Sequence, residues 1–148
     1  MTDSLRRFAL LLLALLVAAP LAASAAPTTV PVRVRIIKGS RQGPAAVDPR
    51  LRDLTAQLGA LAYQRWDQVG EHSKDLEPNK PVSVPLPDGA ALEVILVETH
   101  GNSVTFDLRV AAQGTRSRLT IAKDQRIVQQ VAPEKNGEAL FATVRPWP

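Results

Sequence analysis

The chain has no cysteine, two histidines, one methionine, and only three Phe, two Trp and one Tyr among its 148 residues. Each shortage closes off chemistry. Without cysteine there is no thiol catalysis, thiolate metal centre, disulfide or redox sensing, and no attachment point for a lipoprotein anchor. With two histidines, a zinc-type site has to combine His72, His100 and a carboxylate such as Asp107. No dense ligand spacing accompanies that set, so no metal and no cofactor is expected. So few aromatics leave base stacking without a platform, which argues against specific nucleic-acid recognition. The chain also lacks a G-x-S-x-G elbow and a Ser-x-x-Lys motif, and Lys38-Gly39-Ser40 lacks the glycines of a phosphate loop. Heptads, solenoid repeats and low-complexity tracts are missing too.

What is present begins with a leader. Arg6 and Arg7 precede an apolar run from Phe8 to Ala19, followed by Pro20 and the small-x-small triplet Ala23-Ser24-Ala25. This is the layout of a secretory signal peptide over residues 1–25. Cleavage after Ala25 is favoured over Ala26, because Pro27 obstructs a protease at the next bond. The competing reading is an uncut membrane anchor; the short run and its flanks favour removal, since a bilayer span takes about 20 apolar residues. The expected address is therefore the periplasm or the extracellular space, with no transmembrane segment left after leader removal.

Residues 26–148 are expected to form one β-rich domain. The full chain carries 18 Lys+Arg and 14 Asp+Glu; the leader holds Arg6, Arg7 and Asp3, so the remainder is left with a modest excess of base. That excess suits an anionic partner.

Val30, Val32, Val34 and Ile36 alternate with Pro31, Arg33, Arg35 and Ile37, the period of a half-buried strand whose arginines point outward. Pro31 suggests that this strand starts at a sheet edge. Asp48-Pro49 opens a helix, Asp48 as its cap and Pro49 in the first turn. Leu51, Leu54, Leu58 and Leu61 form its apolar stripe, predicting a helix from Pro49 to Ala62, interrupted only by the helix-weakening Gly59. A strand is expected from near Tyr63, and a polar loop over 71–81. From Val82 onward, alternating strands are separated by turns at Pro87-Asp88-Gly89, His100-Gly101-Asn102, Gln113-Gly114, Lys123-Asp124-Gln125 and Lys135-Asn136-Gly137. The fold class is mainly β (α+β): an antiparallel β-sandwich or partial barrel with one amphipathic helix packed on it.

The segments VPVRVRII (30–37), DPRLRDLTAQLGAL (48–61), VPLPDGAALEVIL (84–96), QRIVQQV (125–131) and EALFATVRP (138–146) together resemble a group of small exported β-rich proteins of GC-rich Gram-negative bacteria with no established activity. The resemblance implies export and β-rich architecture.

Candidate binding residues are basic. Arg33 and Arg35 share the outer face of the first strand, and Arg116 and Arg118 share a face of a later one; if the two strands are neighbours, one basic stripe results. The plainer reading of these charges is protection of sheet edges. Trp147, between Pro146 and Pro148, either folds back on the core or serves as an aromatic anchor for a partner. The expectation is a non-enzymatic binding or assembly module of the bacterial cell envelope. It acts through a sheet edge or the basic strand face, on another envelope protein or an anionic surface polymer. The rivals are an envelope-polymer hydrolase using carboxylates of the 67–77 stretch (Asp67, Glu71, Asp75, Glu77), and a small-ligand carrier with a pocket behind Leu54 and Leu58.

Overall fold

Residues 28–148 are described by the computed structural model; the leader reading falls outside them. In chain order the strands are β1 (Val30–Ser40), β2 (Ala46–Val47), β3 (Arg65–Leu76), β4 (Val82–Pro85), β5 (Ala91–His100), β6 (Ser103–Val110), β7 (Thr115–Ala122), β8 (Gln129–Lys135) and β9 (Glu138–Pro146). They form two sheets. Sheet I has the order β2-β3-β1-β9-β8, and sheet II is the meander β4-β5-β6-β7. Two-residue alternation drives their apolar faces together: Val30, Val32, Val34 and Ile36 of β1 and Ala142 and Val144 of β9 meet Leu92, Val94, Leu96, Phe106 and Leu108 of sheet II in one core. The expected β-sandwich is the architecture observed, without barrel closure. Among the described residues no helix is long and apolar enough to cross a membrane.

The helical segment departs from its expected form. Asp48 caps it as read from sequence, its carboxylate accepting from the Arg50 amide, but Pro49–Leu54 is a 3-10 helix and only Thr55–Gly59 is α (α1). The tighter winding has a packing reason. At three residues per turn, positions three apart eclipse, so Leu51 and Leu54 point at the sheet together while Arg50 and Asp53 align on the polar side. The α turn then brings in Leu58. These leucines pack on the outer face of sheet I against Ile37, Trp66, Ala139 and Phe141. Tyr63, Trp66 and Phe141 meet edge to face, with centroids 5.2–5.6 Å apart.

Three further expectations are corrected. The loop expected over 71–81 is confined to 77–81: β3 runs through Leu76, paired antiparallel with β1 from Val30↔Leu76 to Ser40↔Arg65. A long partner strand overrides the polar composition of β3, because strand formation follows cross-strand context more than intrinsic preference. β1 is not at an edge but at the centre of sheet I, flanked by β3 and β9. Pro31 is tolerated there because β9 ends at Pro146: the Pro31 carbonyl accepts from the Trp147 amide at the last rung, where a missing N–H costs little. Finally, the closing hairpin β8–β9 does not extend the meander but crosses to sheet I, β9 lying beside β1. Its turn uses left-handed Asn136 (φ 55°) and Gly137 (φ 77°), the pair a tight two-residue hairpin requires.

A candidate anion-binding groove

The outer face of sheet I is divided. The helical segment covers the half around Ile37, Trp66 and Phe141. The other half, where Arg33 and Arg35 of β1 lie opposite Arg145 and Thr143 of β9, is left open. The result is a groove of about 380 Å³ lined by Arg33, Arg35, Arg50, Arg126 and Arg145, with Asp53, Glu71 and Gln68. Five guanidinium groups thus face two carboxylates.

Its wall is built by charge-assisted hydrogen bonds from the helical segment. Arg35, buried, presents a fork to Asp53 (Nη1–Oδ1 2.9 Å, Nη2–Oδ2 2.6 Å), and its Nη1 also donates to the Arg50 carbonyl at 3.2 Å. Arg126 Nε approaches the same carboxylate at 3.4 Å. The Arg35 hydrogen bonds hold the Asp53 carboxyl below the usual carboxylate range, against the opposing effect of partial burial. Asp48 fastens the start of the segment to β3: its Oδ2 accepts from Arg50 Nη2 at 2.8 Å and from the Gln68 amide at 3.1 Å. The Arg50 hydrogen bonds keep Asp48 well below the usual range. Arg50 Nη2 reaches across to the Gln68 carbonyl at 3.0 Å.

The floor is less well satisfied. Arg33 and Arg145 are directly opposed on β1 and β9. Like charges in that position repel. Arg33 Nε has Glu71 at 3.3 Å. Arg145 has no carboxylate partner among the described residues, and its buried Nε donates to nothing. Thr143 Oγ1 and Gln68 Oε1, on the same face of sheet I, are likewise buried and unpaired.

The other candidates from sequence lie elsewhere. Arg116 and Arg118 are on β7, the edge of sheet II, and do not join Arg33 and Arg35 in one stripe, because β1 and β7 belong to different sheets. Both are tied to Asp107 of β6, which is 2% exposed: Arg118 donates through Nε (2.8 Å) and Nη2 (3.1 Å), and Arg116 through Nη2. Bonds from Arg118 and then Arg116 hold the Asp107 carboxyl well below the usual range. Trp147 folds back and packs against the main core. Of the acidic stretch, Glu71 enters the groove; Asp67 pairs with Arg65 at 3.3 Å and Glu77 with Lys80 at 3.1 Å. His72, His100 and Asp107 sit on three different strands, and among the described residues no three His, Asp or Glu side chains gather as metal ligands. The space behind Leu54 and Leu58 is filled by Ile37, Trp66 and Phe141.

Sequence reading missed Arg50, Asp53, Arg126 and Arg145 as groove residues. Arg145 follows Phe141 and Thr143 at two-residue spacing, which predicts its face; that the face is the one bearing Arg33 depends on the β1–β9 register. A larger cleft of about 620 Å³ opens at one end of the sandwich near Lys38, Leu140 and the turns at Asp88 and Asn136. Its charges balance, Lys38 and Lys135 against Asp88 and Glu138, so nothing there selects a ligand by charge. No family model matches the chain, and no curated protein or solved structure matches it.

Proposed function

We propose that this protein is an exported, non-enzymatic binding module of the bacterial cell envelope that holds an anionic surface polymer in the arginine groove. One observation carries the reading: five arginines against the two groove carboxylates and the Asp48 that engages Arg50, a surplus of two cations, with Arg145 unpaired beside Arg33. A groove whose cations exceed its anions is stabilised by an outside anion, and guanidinium forks match oxyanions. Hydrolysis through the groove carboxylates is less well supported. A general acid must keep its proton near neutral pH, and Arg35 holds Asp53 ionised. Strand addition at β7 is disfavoured by Arg116 and Arg118 on that edge strand.

The test is retention on surfaces coated with polyphosphate or polyglutamate, eluted with sodium chloride. The wild-type protein is expected to be retained at low salt and released as screening shortens the reach of its charges. The double variant Arg33→Gln/Arg145→Gln should elute much earlier, while Lys80→Gln, remote from the groove, should elute with the wild type. Wild-type protein that passes through both surfaces unretained, or a double variant retained like the wild type, would sink the reading.

A further inference from the structure

Resting on that reading, we infer that the group recognised in the groove is a phosphoryl dianion, seated between Arg33 and Arg145. The first argument is shape. Arg33 and Arg145 face each other across adjacent strands, so their guanidinium groups rise from one floor at neighbouring positions. A planar carboxylate has two oxygens and satisfies one fork face to face. A tetrahedral phosphoryl group presents three free oxygens and accepts from two forks along different edges. Arg145 lines the groove without a carboxylate partner among the described residues, and a bridging oxygen gives the open end of its guanidinium an acceptor while relieving the repulsion between the two cations.

The second argument is charge. Arg35 is spent on Asp53, and Arg50 is engaged by Asp48 and the Gln68 carbonyl. Arg33, Arg126 and Arg145 then face what remains of the negative charge, chiefly Glu71. Two surplus cations match a dianion better than the single charge of a carboxylate or a sulfate ester. Phosphomonoesters carry close to two charges above their second pKa of about 6 and one charge below it.

The experiment is calorimetric titration of the intact protein with inorganic phosphate, inorganic sulfate and acetate at equal ionic strength. Phosphate and sulfate are expected to bind at least about tenfold more tightly than acetate. Phosphate affinity should fall as pH drops through about 7, where inorganic phosphate passes from dianion to monoanion (a step phosphomonoesters make near 6), whereas sulfate, doubly charged throughout that window, should give a flat profile. That control matters because Arg35 and Arg33 from β1, Arg145 from β9, Arg50 and Asp53 from the helical segment, Glu71 from β3 and Arg126 all face the bound group. Arg145→Gln should weaken phosphate by about tenfold or more with an unchanged melting temperature, since it removes no internal partner.

Sedimentation with vesicles of phosphatidylcholine and phosphatidic acid separates the two sources of the group. Pelleting points to a membrane-borne monoester, and phosphate binding without pelleting to a soluble or polymer-borne one. Acetate binding as tightly as phosphate, a sulfate profile that falls in parallel with phosphate, or an Arg145→Gln variant with undiminished phosphate affinity overturns the inference. If polyglutamate retention persists in any of these cases, the broader binding function survives and only the phosphoryl assignment falls. If no anion binds, both fall.

Discussion

Asp107 shows how one residue's chemistry depends on its neighbours. It is buried at the centre of sheet II's outer face, and two arginines that themselves remain in water close over it. Its folded-state pKa is depressed by those hydrogen bonds. The stability it contributes is therefore present above the unfolded value of about 3.9 and is lost as pH falls through the lower folded value. Asp107→Asn should destabilise the protein at pH 7 by about 1–3 kcal/mol, the usual worth of a charged hydrogen bond. Below about pH 4 the gap to the wild type should narrow as the carboxyl protonates. Denaturant midpoints across that range check both points; a gap that stays constant with pH contradicts the assignment. Gly39 makes a steric point at the same scale. A Cβ there would lie 2.8 Å from Trp66 Cζ3, so only glycine lets the aromatic group settle on β1.

At the level of elements, the helical segment is held at two places. Asp48 ties its start to β3, and the Asp53–Arg35 fork ties its middle to β1. The segment is short, and half of it is 3-10, so its own propensity contributes little; the leucines and these two ties hold it. Removing the cap by Asp48→Ala should cost about 1–2 kcal/mol. Amide exchange should quicken over 49–59 while the β5–β6 amides of sheet II keep their protection. Uniform exchange changes across both sheets would contradict a local role. How legible this element was can be traced residue by residue. Asp48, Pro49 and the leucine spacing were sufficient to place it and to choose its buried face. Its 3-10 winding was not visible, because only contact with Ile37 and Phe141 favours eclipsing Leu51 with Leu54. The polar stretch from Glu71 to Leu76 read as a loop because its partner supplies the reason to be a strand, and that partner lies some forty residues earlier in the chain.

For the whole molecule, the two sheets present opposite outer faces of different character. Sheet II's charges are largely satisfied internally, as in Glu93–Arg109 and the Asp107 cluster. Sheet I carries the unsatisfied groove. A ligand that binds only the folded protein stabilises it by mass action, about 2.7 kcal/mol at a hundredfold excess over Kd. Phosphate should therefore raise the melting temperature by several degrees more in the wild type than in Arg33→Gln/Arg145→Gln, in matched buffers. The comparison between variants removes the general salting effect of phosphate. Equal shifts in both proteins would place the stabilisation elsewhere.

Taken alone, the order of residues determined the alternating strands, the turns between them, the capped start of the helical segment and the outward aim of Arg33 and Arg35. Each of these follows from local sterics and two- or three-residue periodicity, which act within a few bonds. Tertiary structure decided which strands are neighbours. It sent Arg116 and Arg118 to the opposite sheet, brought Arg145 level with Arg33, and turned Asp53 onto Arg35. Those choices rest on strand order and register between segments up to about a hundred residues apart, where burial of two complementary apolar faces, and no local preference, selects the pairing.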